Sequence, residues 1–283
     1  MKFKVFSELE YEVKMPSTFI FNIQLARTSS QSVIEESIII DPYYQAEEFT
    51  SQDGRTRFLR LQVKDQVTFK ISYAATVDSH YRIVDERQDQ DNVSVAKLDA
   101  DVIPYIFPSR YCQSDKLQRL ADKGFGEIEN TYLKVLAINE WIYHNVEYLT
   151  GSTNSSTSAL DTVSERAGVC RDFAHLGIAL CRALSIPARY FTGYAYKLNP
   201  PDFHACFEAY IGGDWIIFDP TMLVPLNGLV KIANGRDAAD ASVASIFGQT
   251  VCTLMNVQCE SIDEGFQPYD YNGNKNNEGL SYQ

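Results

Sequence analysis

This 283-residue chain has no long apolar run. No segment offers the ~20 consecutive apolar residues that a helix needs to cross a bilayer. Residues 1–6 are not followed by the sustained apolar stretch of an export signal. The expectation is a soluble, cytoplasmic protein with no membrane partner. Positive charge is also scarce: 25 Lys and Arg stand against 37 Asp and Glu, a formal net charge of −12. Such a surface repels phosphate backbones, which excludes nucleic acid as a partner and mildly favours a cationic, lysine-bearing peptide. The six cysteines (Cys112, Cys170, Cys181, Cys206, Cys252 and Cys259) show no regular close pairing, so reduced thiols are expected rather than a disulfide framework. Internal repeats, a phosphate-binding glycine loop and a zinc-protease motif are absent too. No cofactor is implied, and Cys252 and Cys259 lack the second ligand pair of a metal site.

What is present is an ordered set of reactive side chains. Residues 168–176 read GVCRDFAHL, and the stretch 171–184 is rich in Ala, Leu and Ile without proline. Gly177 is its one weak point as a helix. Cys170 then falls in the first turn, where unpaired N–H groups and the helix dipole favour a thiolate. The same N–H groups can donate to an oxyanion. Ser185-Ile186-Pro187 ends the helix, and 188–196 reads as a strand.

The strand over 203–211 alternates. Phe203, Ala205, Phe207, Ala209 and Ile211 point one way; His204, Cys206, Glu208 and Tyr210 point the other. Gly212-Gly213 signals a hairpin with 214–219 as the returning strand. That turn pairs Ile211 with Asp214, hence Cys206 with Asp219, and sets Asp219 diagonal to His204, within reach of Nδ1–H. A slip of one residue would send Asp219 to the opposite face.

The blocks GVCRDFAHL, SIPARYFTGY, FHACFEAY and WIIFDPT, with the upstream VLAINEWIYHNVEYLTGSTNSSTSAL, closely resemble the transglutaminase-like superfamily of papain-like cysteine enzymes in its bacterial form. The resemblance covers roughly residues 105–225. It implies Cys170 as nucleophile, His204 as general base and acid, and Asp219 as the residue orienting the imidazole. One departure stands out: Cys206 occupies a place where many relatives carry tryptophan. The implied activity is acyl transfer on a peptide or amide through a thioester, with hydrolysis favoured over amine transfer (a transglutaminase) and over a non-catalytic binding module.

The other histidines fit this role less well. His175 is five residues beyond Cys170 on one helix, rotated about 140° from it. His144 reads as a partly buried packing or capping residue before the site, and His80 has no catalytic company. Cys181 reads as core filling. The chain's 45% hydrophobic content allows two moderate cores. Short strands are predicted over 3–13, 19–25, 33–40, 57–63, 67–77 and 81–85, giving an antiparallel β-sandwich over 1–105. Such a β-domain also resembles the one that often precedes the bacterial catalytic domain. The fold class is therefore α+β: a papain-like transglutaminase core over 106–262, with a Cys-bearing helix packed on an antiparallel sheet, behind that sandwich. Prolines should hold the connection 103–109 extended, and 263–283 reads as a polar tail, disordered or hugging the surface.

Overall fold

The structure is a computed structural model and describes residues 1–52, 54–84, 93–269 and 278–282. Its N-terminal part contains β1 (Lys2–Val13), β2 (Ser17–Phe21), β3 (Gln31–Asp41), β4 (Ala46–Thr50), β5 (Arg57–Val63), β6 (Thr68–Ser79) and β7 (Arg82–Val84). In β1 the residues Phe3, Val5, Leu9, Tyr11 and Val13 are buried, while Lys2 and Lys4 face solvent. This period-2 alternation is what one buried sheet face requires. Tyr11 and Phe69 from one sheet meet Phe19 from the other, with Phe19 and Phe69 edge-to-face at 5.0 Å. The result is a sandwich core of interlocked aromatic rings.

Both sandwich sheets are completed by distant chain. β14 (Ala244–Phe247) pairs with β2, and β15 (Thr250–Ser261) pairs along the whole of β1, giving the orders β15-β1-β6-β3 and β14-β2-β5-β4. The assignment of 106–262 to one catalytic unit is therefore corrected: 244–261 returns to the N-terminal sheets, where β1 would otherwise leave a row of backbone groups unpaired. β4, which the alternation did not reveal, is an edge strand carrying Glu47 and Glu48. The polar tail, expected to be disordered or to hug the surface, is described at 278–282. β16 (Gly279–Ser281) pairs with β7, and Leu280 and Tyr282 are buried; two apolar anchors suffice where the average composition is polar. Residues 85, 270–277 and 283 of the expected strand and tail lie outside the described residues.

The remaining layer carries the site. α1 (Ser114–Phe125), α2 (Thr131–Asn145) and α3 (Ala159–Glu165) pack around α4 (Cys170–Ala183), with β8 (Glu147–Tyr148) and β9 (Ala167–Gly168) forming a short parallel bridge between them. α4 lies on an antiparallel sheet of β10 (Ala188–Ala195), β11 (His204–Ile211), β12 (Asp214–Phe218) and β13 (Leu229–Gly235), in the order β12-β11-β10-β13. A final short helix, α5 (Ala238–Ala241), follows. Among the described residues no helix is long and apolar enough to cross a membrane.

Two features seat α4. Arg182, 3% exposed, donates to the carbonyls of Ala188, Phe107 and Arg236 and to Ser109, so the connection is clamped to the helix end. That connection is not extended throughout: Ile103–Ile106 is a 3-10 turn with proline in its first positions, where a missing N–H costs nothing. At Gly177 a methyl group would lie 2.5 Å from the Phe207 ring. Gly177→Ala should consequently destabilise the fold by about 1–3 kcal/mol despite its better helix propensity; a midpoint in urea equal to or above wild type would contradict this packing.

Candidate active site

Cys170 is the first residue of α4 and is partly exposed. The helix start is held by Asp172, whose carboxylate accepts the Val169 N–H at 3.0 Å. Arg171 braces that carboxylate at 2.9 Å and reaches back to the Asn154 carbonyl at 2.8 Å. Gly168 is needed beneath them, since a Cβ there would lie 2.8 Å from that of Asp172. The G-V-C-R-D run therefore has a local logic: it fixes a helix N-terminus with Cys170 as its first residue.

The glycine turn delivers the partners. Gly212 and Gly213 both have positive φ (60° and 94°), and Ile211 pairs with Asp214, the register expected from the sequence. Asp219, just beyond β12, places Oδ2 2.9 Å from Nε2 of His204. Its other oxygen accepts from the Thr221 N–H at 2.9 Å and the Thr221 hydroxyl at 2.7 Å, which fixes the carboxylate plane. The expected Nδ1 contact is thus corrected to Nε2, because a side chain diagonal across the strands meets the far edge of the ring. Nδ1 is buried without a conventional hydrogen bond, and the Cys170 side chain interacts with the ring. Burial works against a charged imidazole, yet the charge and hydrogen bond of the Asp219 carboxylate outweigh it and lift His204 well above the ordinary histidine range.

Cys206 sits on the same face, fully buried. Burial and the Asp219 carboxylate push its thiol up to about 12, so it is neutral beside the ring. Ligand atoms of His204, Cys206 and Asp219 lie within 4.8 Å of one another, the donor set that could hold a metal ion among the described residues. Both Asp219 oxygens and Nε2 of His204 are already engaged, and a metal would have to break that pairing.

Tyr148 was not singled out by its residue type or spacing. The β8–β9 bridge, closed by Glu147 N–H to Arg166 O (2.8 Å) and Leu149 N–H to Gly168 O (2.9 Å), carries its phenol against the Cys170 thiol and amide. Burial and the sulfur raise that phenol to about 12, so it remains a donor. The signal in the sequence was a tyrosine in the segment shared with the resembled family, with nothing local to mark it.

The other histidines stand apart. His175 is buried and stacked 5.0 Å from Tyr111, and its Nε2 accepts the Ala238 N–H at 3.1 Å. Burial and the nearby Arg171 and Arg182 hold it well below the usual histidine range, a neutral core ring. His144 is exposed in the last turn of α2, not partly buried, where a cation suits the helix dipole. His80 is exposed and faces Asp78. All six cysteines are free; Cys181 fills the core, whereas Cys252 is exposed and Cys259 buried.

Known proteins share this organisation. Residues 1–101 match the bacterial transglutaminase N-terminal domain, and residues 118–220 match the transglutaminase-like superfamily. The crystal structure of a candidate cysteine protease from Cytophaga hutchinsonii is 64% identical with a TM-score of 0.97, covering 100% of this chain and 98% of that one. An uncharacterized protein of Mycobacterium leprae is 32% identical over 136 residues, 44% of this chain and 48% of the relative. One of Mycobacterium tuberculosis is 35% identical over 115 residues, 35% of this chain and 36% of the relative. The chain spans less than half the length of these curated relatives.

Proposed function

The chain belongs to the transglutaminase-like superfamily, and from that membership and the site's geometry we propose that it catalyses cysteine-dependent acyl transfer on peptide or amide substrates. The observation that carries this reading is the buried His204–Asp219 pair, 2.9 Å apart, set against a partly exposed thiol at a helix N-terminus. Cys170 sulfur attacks the amide carbonyl. The carbonyl oxygen takes up the negative charge, met by the Cys170 N–H and the Tyr148 hydroxyl. His204, held as imidazolium by Asp219, gives its proton to the departing amine, and the C–N bond breaks to leave a thioester. The neutral imidazole then takes a proton from water, whose oxygen attacks the thioester and releases the acid and the Cys170 thiolate, with the proton back on His204. Hydrolysis is the favoured outcome, in keeping with the description of the Cytophaga relative as a candidate protease. Attack by a lysine amine would give a transglutaminase instead, a reading consistent with the net charge of −12.

The test is thiol reactivity resolved by mass spectrometry. Four of the other thiols are buried, so exposed Cys252 is the competitor that matters. Iodoacetamide at neutral pH should label Cys170 at least about tenfold faster than Cys252. His204→Ala should remove that advantage without changing the Cys252 rate. Equal rates in the wild-type protein would point to a binding module. Parallel assays of peptide libraries with and without a primary amine separate hydrolysis from amine transfer.

Tyr148 supplies a second expectation. Removing one oxyanion donor costs about 10²–10³ in kcat in a comparable acyl-transfer site, and Tyr148, 39% exposed, should fall at the lower end. Tyr148→Phe should therefore lower kcat about 10²-fold with KM little changed. An unaltered kcat would remove the phenol from the oxyanion site.

A further inference from the structure

On the sheet face that carries His204, but at the other end of the strands, a cavity of about 490 Å³ opens between the core sheet and the N-terminal loops. Arg189 pairs in register with Glu208, and His204 with Gly193, four residues along β10; at 3.3 Å per residue the two rows lie about 13 Å apart. The cavity is therefore separate from the acyl-transfer site.

Its lining runs against the charge of the chain. Arg27, Arg55, Arg189 and Lys231 face it, with Asp101 as the carboxylate on its wall. Beneath them Glu208, fully buried, accepts from both Arg189 and Lys231, so one carboxylate serves two cations that are each 5% exposed. Glu36 is likewise shared, between Arg27 at 2.9 Å and Arg57 at 2.7 Å, and Arg57 has a second carboxylate in Glu48 at 2.9 Å. One positive charge thus stays unmatched under the cavity floor, where removal from water makes an unbalanced charge costly.

Arg189 is the pointed feature. It commits Nε to Glu208 and lays its guanidinium over the Trp215 ring, 4.1 Å from the centroid. Its two terminal nitrogens have no acceptor among the described residues, although the side chain is only 6% exposed. A rigid donor fork pinned at one nitrogen, stacked on an indole and open at the other two is a seat for a planar or tetrahedral oxyanion. The volume admits an organic molecule rather than a bare ion. We propose that this cavity binds a small organic anion, whose carboxylate or phosphate group sits on the Arg189 guanidinium beside Lys231, with Arg55 at the rim.

Trp215 is one of two tryptophans, so Trp141→Phe leaves it as the sole indole reporter. In that background phenyl phosphate and benzoate, titrated separately, should change the fluorescence saturably, and neutral benzamide should not. The tighter of the two anions identifies the group the site prefers. Arg189→Lys keeps a cation for Glu208 but removes the fork, and should weaken binding at least about tenfold. Arg55→Glu, an exposed position, should weaken it comparably and serves alone if the lysine variant melts early. Failure of both anions to saturate in the millimolar range overturns the proposal. So does binding that Arg189→Lys and Arg55→Glu leave unchanged. Neither failure touches the acyl-transfer reading, whose groups lie at the other end of the sheet.

Discussion

Cys170→Ala is expected to abolish both acyl-enzyme formation and turnover, a loss of at least about 10⁴-fold, while the protein stays folded. The side chain is partly exposed at the start of α4, so deleting one sulfur leaves no buried cavity to destabilise the helix. Asp219→Asn should behave differently. It leaves Cys170 and the helix N-terminus intact and disturbs the tautomer and charge of His204. The equivalent aspartate change in a serine protease costs about 10⁴-fold, an upper scale here because sulfur is intrinsically the stronger nucleophile. Turnover of one amide substrate by both variants, with circular dichroism to confirm folding, checks the pair. Wild-type turnover in folded Cys170→Ala would remove the nucleophile assignment, and equal losses in the two variants would mean that Asp219 does more than orient the ring.

Glu208→Gln should produce the largest stability loss, about 3–5 kcal/mol, because it strands Arg189 and Lys231 in the interior without their shared counter-charge. In a chain of this size that is a fall in Tm on the order of 10 °C. Burial by itself would raise the Glu208 carboxyl, but the Arg189 and Lys231 charges and hydrogen bonds outweigh it and hold it below its ordinary value. A carboxyl lowered on folding stabilises the protein above its unfolded pKa and loses that contribution as pH falls through the folded value. Wild-type and variant melting temperatures should therefore lie far apart at neutral pH and converge on acidification. A gap that stays constant with pH would mean that the glutamate contributes by packing alone.

Much of the site was legible because it rests on local rules. Alternation in 203–211 assigns the faces, the Gly212-Gly213 turn sets the register, and together they place Asp219 beside His204 before any coordinates exist. What escaped depends on contacts between distant segments. The choice of Nε2 over Nδ1 follows from the diagonal offset between strands, which parity does not reveal. Tyr148 reaches Cys170 through a two-residue parallel bridge, too short for any periodic pattern. Glu208 reads simply as a polar residue on the His204 face; its two cationic partners come from β10 and β13, 19 and 23 residues away. In the N-terminal part the long alternating strands were legible, whereas β4, an edge strand with two consecutive glutamates, was not. The segment 244–261 was assigned to the catalytic unit because pairing partners more than 200 residues apart leave no trace in local composition.

That last pairing bears on how the chain is made. Synthesis proceeds from the N-terminus, so β1 can zip onto β6 once residue 79 has emerged, but its other edge has no partner until residues 250–261 follow. For the time needed to deliver some 170 further residues, β1 presents an open edge to any other strand nearby. Cys170, His204 and Asp219 all leave the ribosome inside that interval. The Cys170 thiol is thus already synthesised while the sandwich still lacks β15, the strand that covers the second edge of β1.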